Sequence, residues 1–121
     1  MNLSQEKKNN TLIFRLGMEY LDSTVAPALK AAFLLAIEQG EKNFLVNLCS
    51  VAYVDSSGLG ALLFGLRHAL EKNGGLKLVC AAPRVLKLIK IAHLEEQLVF
   101  YENEEDAIQA FFESTAGNIL K

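Results

Sequence analysis

The chain has 121 residues, near the common size of one domain, so a single domain is expected. With 51% hydrophobic and 21% charged residues it lies outside the compositions that stay disordered. A chain of this length buries about two thirds of its unfolded surface, enough to fold without a metal or disulfides. Twelve Lys and Arg against fourteen Asp and Glu give a net charge of −2, leaving no basic excess to neutralise phosphates and arguing against nucleic acid as a partner.

Residues 1–10 are polar, carry no apolar core of a signal peptide, and are expected to form a flexible N-terminus. Thr11 to Leu16 is β-branched and apolar and stops at Gly17, the pattern of a strand that Met18 to Leu21 extends or pairs with. Asp22-Ser23-Thr24 offers N-cap chemistry, and Pro27 falls in the first turn of a helix over Val25 to Gln39 that ends at Gly40. Phe44 to Leu48 is too short for a helix and suits a buried strand. A connection, Cys49 to Val54, leads to Asp55-Ser56-Ser57-Gly58 and a second helix with Leu59, Leu62, Leu63, Leu66, Ala69 and Leu70 on one face. Asn73-Gly74-Gly75 ends it, and Leu76 to Ala81 is the next strand. Pro83 opens a third helix with Val85, Leu86, Ile89 and Ala92 inward and Arg84, Lys87 and Lys90 toward water. Leu98 to Tyr101 is a last strand, and Glu104-Glu105-Asp106 set acids on the first turn of a closing helix through Phe112, where they suit the helix dipole. Residues 11–113 thus form one α/β domain, and 114–121 are expected to be a flexible tail. Helices alternating with short apolar strands imply a parallel or mixed sheet covered by helices.

No apolar run approaches the length that spans a bilayer, so no membrane partner is expected and the protein is read as cytoplasmic. Cys49 and Cys80 sit in apolar surroundings without metal-ligand or CxxC spacing, and both are expected to be reduced and buried.

Asp55-Ser56-Ser57-Gly58-Leu59-Gly60 is the segment that could carry function. It follows a buried strand and begins a helix, at the carboxyl end of the sheet where α/β proteins place their sites. Asp55 or Ser56 is expected to cap the helix. A hydroxyl there also tolerates a phosphate, which meets the positive end of the helix dipole and free backbone N–H groups. Catalysis is a poor fit: His68 lies three turns along the helix from Ser56, and Gly-x-Ser-x-Gly is absent. No Gly-Lys-Ser/Thr loop or Gly-x-Gly-x-x-Gly is present, so no nucleotide cofactor is expected, and no metal.

Over roughly Leu12 to Phe112 the sequence resembles the STAS domain family, specifically its single-domain anti-sigma factor antagonists. The resemblance rests on Val46-Asn47-Leu48 through Asp55-Ser56-Ser57-Gly58-Leu59-Gly60, on Asn73-Gly74-Gly75 before Leu78-Val79-Cys80, and on the helix from Pro83 to Ile91 that leads to Leu94. It implies a four- to five-stranded mixed sheet with helices mainly on one face, and a protein that is a kinase substrate rather than an enzyme. Ser56 holds the position of the phosphoacceptor. Asp22, Asp55, Ser57, Gly58 and Leu59 match positions at the partner-binding surface. The implied partners are an anti-sigma factor with a histidine-kinase-like ATPase domain acting as a serine kinase, and a PP2C-type phosphatase. A monomer is implied. The alternative is a non-switching STAS scaffold or subunit of a larger assembly, stressosome-like or in a lipid-transport complex. Two departures stand out: the family's Gly-Glu-Leu-Asp appears as Glu19-Tyr20-Leu21-Asp22, and His93 replaces a glycine after the third helix, where a positive φ suits it poorly.

Overall fold

The computed structural model describes residues 2–120, with side chains described through Glu113. Strand β1 (Leu3–Lys8) and β2 (Thr11–Leu16) form an antiparallel hairpin in which Lys8 pairs with Thr11. Asn9 and Asn10 turn the chain at φ 50° and 65°, the left-handed pair a two-residue hairpin loop demands and asparagine tolerates. Residues 3–8 were expected to be flexible, and here the structure differs. Their side chains bury little, but their backbone groups pair with β2, which apolar content alone does not register.

The chain then runs through β3 (Tyr20–Leu21), α1 (Ala26–Glu38), β4 (Asn43–Asn47), β5 (Tyr53–Val54), α2 (Ser56–Glu71), β6 (Gly75–Val79), α3 (Pro83–Ile91), β7 (Val99–Tyr101) and α4 (Glu104–Leu120). The main sheet has the order β1-β2-β4-β6-β7, parallel except for the first hairpin, and β3 pairs with β5 in a separate parallel ribbon. The backbone of α4 continues through Leu120, so the stretch 114–120 expected as a tail prolongs the helix; residue 121 lies outside the described residues.

Alternation along the strands divides the core in two. Leu12, Phe14 and Leu16 of β2, Phe44 and Val46 of β4, and Leu76 and Leu78 of β6 face α1, α2 and α3. Phe14, Phe33 and Phe44 meet ring to ring there, and Gly65 lets α2 lie against the Phe33 ring, which a Cβ would overlap. On the other face Ile13, Leu45 and Val79 pack against Ala107 and Ile108 of α4. Three helices on one face and one on the other give the mixed, mainly one-sided arrangement expected. Not every inward assignment holds: Ala92, past the end of α3, is exposed, and Leu70 is 56% exposed.

A charged network fastens α4. Arg15 of β2 donates from Nε and Nη2 to both carboxylate oxygens of Glu104, at 2.9 and 2.8 Å, and from Nη1 to Glu6 at 2.7 Å. Asn47 Nδ2, next to Arg15 in sheet register, donates to Glu104 at 2.8 Å. One of the three acids placed by sequence at the start of α4 is thus the residue that docks the helix.

Candidate functional site

The loop after β4 is laid down by backbone contacts to the segment before α1. Ala52 and Tyr53 N–H groups both donate to the Glu19 carbonyl, and Asp55 N–H donates to that of Leu21. Pairing of Tyr20 with Tyr53 and Leu21 with Val54 makes the short β3–β5 ribbon. Asp22 and Asp55, the next residue on each strand, leave this ribbon side by side. The ribbon thus sets Asp22 beside the loop that carries Asp55 and Ser56.

Asp55 is the N-cap of α2: its backbone is extended (φ −94°, ψ −175°) and its Oδ1 accepts from Gly58 N–H at 2.8 Å. This satisfies one of the helix's orphan donors. Ser56, the alternative cap expected from the sequence, is instead the first helical residue, exposed to solvent, with its hydroxyl unneeded for capping. Ser57 and Leu59 are half-buried, and Leu59 packs on the main core. Gly58 is buried, and a Cβ there would overlap the Leu21 carbonyl oxygen, so its role is to let the start of α2 lie against β3. Asp22 accepts from Thr24 N–H at 3.0 Å, a local turn ahead of α1, whose own N-cap is Val25 with no side-chain bond.

Sequence reasoning missed an aromatic ladder beside this loop. The Tyr20 and Tyr53 rings stack at 5.2 Å between centroids and 15° between planes, and the Arg84 guanidinium lies over Tyr53 at 4.4 Å. Both tyrosines are about half exposed. Arg84, Lys87 and Lys90 are exposed as expected, and Arg84 in addition joins the start of α3 to β5. The substitution of Tyr20 into the Gly-Glu-Leu-Asp pattern was the available signal.

The cysteine expectation is corrected. Cys49 is exposed, Cys80 is half-buried, and they are joined by a disulfide with a Cα–Cα distance of 4.9 Å. Strands β4 and β6 are adjacent and in register (Asn47 opposite Val79), so residues just past their carboxyl ends emerge together, within the span a disulfide requires. Apolar neighbours in sequence say nothing about this. Cys80 has φ 61°, a left-handed value for a residue with a Cβ, and both cysteines line a 760 Å³ hollow with Asn47, Asn103 and Glu104. His93 keeps the positive φ (59°) expected at its turn.

The perturbed electrostatics lie elsewhere. The Arg15 guanidinium, helped by Asn47, holds the Glu104 carboxyl down at about 2, while Glu104 and Glu6 raise Arg15. Burial pushes Lys77 down, beneath the Tyr101 and Phe111 rings. His68, further along α2, directs Nδ1 at the Phe64 carbonyl (2.9 Å) and rests on the Phe64 ring. Among the described residues no helix is long and apolar enough to cross a membrane.

The profile of the STAS domain family matches residues 2–107. The anti-sigma-B factor antagonist of Bacillus subtilis is 26% identical over 110 residues, an alignment covering 90% of this chain and 100% of that protein. Among solved structures, the Bacillus cell fate determinant SpoIIAA in its phosphorylated form superposes with a TM-score of 0.71 at 25% identity, covering 89% of this chain and 97% of that one. An anti-sigma-factor antagonist (STAS) domain protein from Planctomyces limnophilus shares the fold with a TM-score of 0.81 at 18% identity, over 90% of this chain and 97% of that one.

Proposed function

Because the chain belongs to the STAS domain family, we propose that it is an anti-sigma factor antagonist: a binding module that holds an anti-sigma factor while Ser56 carries its hydroxyl, and releases it when Ser56 is phosphorylated. The observation that carries this reading is the placement of Ser56, exposed at the first position of α2 and spared from capping by Asp55. A kinase can reach that hydroxyl without dismantling the helix start. The names of the relatives, and a solved relative in phosphorylated form, support the same reading.

The physical logic is short. A phosphoserine carries roughly −2 charges and would stand beside Asp55 and near Asp22, so a surface complementary to the unmodified loop would be repelled. Moving a partner from mostly bound to mostly free takes about 5 kcal/mol of differential affinity at the extreme, and proportionately less for a smaller shift. The helix dipole meanwhile tolerates the new charge, so the fold survives the modification. Asp22, Asp55, Ser57 and Leu59 would form the docking surface. Gly58, being buried, would contribute by bringing β3 and α2 together. The partner class is an anti-sigma factor with a histidine-kinase-like ATPase domain acting as serine kinase, and a PP2C-type phosphatase would reset the serine. The protein would work as a cytoplasmic monomer and be a substrate rather than a catalyst.

The test is intact mass after incubation with ATP and serine kinases of the histidine-kinase-like class, beside a Ser56→Ala control. One phosphoryl group, absent from the control, is expected. A control modified as fully as the wild type would move the site. No modification together with a stable complex would favour the non-switching scaffold.

A further inference from the structure

We infer that Cys49–Cys80 is a reversible redox site that sets how tightly the Ser56 loop is held against the start of α3. The two half-cystines and the Tyr53–Arg84 contact close one ring of chain. Tyr53 lies four residues after Cys49, and Arg84 lies four residues after Cys80. The disulfide joins the two connections where they leave the sheet, and the guanidinium on the Tyr53 ring joins them again at the other end. Of these two cross-links only one is covalent, and an exposed cation–π contact is weak alone.

The site is also accessible. Cys49 is exposed, and both cysteines face the 760 Å³ hollow, so a small thiol or disulfide can reach the sulfurs without the protein unfolding. Cys80 is held at φ 61°, a conformation favoured by few side-chain-bearing residues, so the freed segment has a more comfortable backbone to relax into. The connection after Cys49 is also held by the Cys49 N–H donating to Asn47 Oδ1 at 2.9 Å and by the Ala52 and Tyr53 N–H groups donating to the Glu19 carbonyl.

The chemistry needs a small-molecule disulfide, RSSR, as oxidant. The Cys49 thiolate attacks one sulfur of RSSR, forming Cys49–S–S–R and releasing RS⁻, which takes up the proton Cys49 gave away. The Cys80 thiolate then attacks the Cys49 sulfur, forms the Cys49–Cys80 bond and expels the second RS⁻, which takes the Cys80 proton. Two electrons pass from the protein to RSSR, and the net change is protein dithiol plus RSSR giving protein disulfide plus two RSH. Excess RSH reverses it.

The test uses the whole chain and glutathione, with no partner or phosphate, so its outcome is independent of the phosphorylation reading. Protein equilibrated across reduced-to-oxidised glutathione ratios is quenched in acid, alkylated and weighed, and backbone amide exchange is followed in the two end states. Two alkyl groups in reducing buffer and none in oxidising buffer are expected. In the reduced form, amides of residues 50–55 and 81–86 should exchange at least several-fold faster, with β2 and β4 unchanged. Failure of glutathione disulfide to form the bond would overturn the proposal. So would a bond that the reduced thiol cannot open in the folded protein, or identical exchange in the two states. Cys49→Ser should exchange like reduced wild type in either buffer; if that variant does not fold, reduced wild type supplies the same comparison.

Discussion

The two faces of the sheet spend charge in opposite ways. Beneath α4, Arg15, Glu104, Asn47 and Glu6 form a short-range network with the most displaced carboxylate among the described residues. At the start of α2, the candidate site is one capping carboxylate, an exposed hydroxyl and an aromatic ladder. Displaced ionisation is a common mark of a working site, but here it marks where a helix is fastened. A residue modified by another protein's catalytic machinery needs exposure and a tolerant backbone; tuned acidity would be required of an enzyme that did the chemistry itself.

That contrast can be broken at four points. The largest effect is expected from Gly58→Ala, which pushes a Cβ into the Leu21 carbonyl and should cost about 3 kcal/mol in urea unfolding, by overpacking where backbone must shift. If it costs nothing, the close approach of β3 and α2 does not define the site.

Glu104→Gln tests the other face. Glu104 falls from its usual 4.5 to about 2 in the folded protein, so its stabilisation is complete above about pH 5 and is lost as pH drops toward 2. Arg15 is about a third exposed, so solvent screening reduces the contribution to about 1–2 kcal/mol at pH 7. Unfolding measured at pH 7 and pH 3 should show wild type losing much of this margin and the variant losing less. Equal losses would place the acid sensitivity elsewhere.

Asp55→Ala should cost about 1 kcal/mol through the lost cap, while leaving Ser56 exposed and open to phosphorylation. An unchanged melting temperature would mean that the helix start finds another acceptor. Smallest is Thr11→Val. The Thr11 hydroxyl is buried with no hydrogen-bond partner, so its removal should gain about 0.5–1 kcal/mol. A loss would reveal a partner for that oxygen.

Much of this was legible in the sequence, for reasons visible residue by residue. The β-branched, apolar run Thr11 to Leu16 marked a buried strand, the helical spacing from Leu59 to Ala69 marked the inward face of α2, and Asp-Ser-Ser-Gly marked the loop proposed to carry the acceptor. What escaped depends on tertiary neighbours. The pairing of β1 is a backbone matter that its polar side chains conceal, with Asn9-Asn10 as the sole local signal. Cys49 and Cys80 meet only because β4 and β6 are adjacent and end in register. Arg84 is exposed, as its helix position implies, but a helical wheel does not know that Tyr53 stands opposite it.

The first hairpin carries a last consequence, for solubility. β1 closes one edge of the sheet with Ser4, Gln5, Glu6, Lys7 and Lys8 turned to water, a poor template for a strand arriving from another molecule. Behind it lies β2, whose Leu12, Ile13, Phe14 and Leu16 are all buried. Proteolytic nicking at Asn9-Asn10 and loss of the leading strand would bare that apolar edge. The remaining chain would then tend to assemble edge to edge while most of its helical core was still in place.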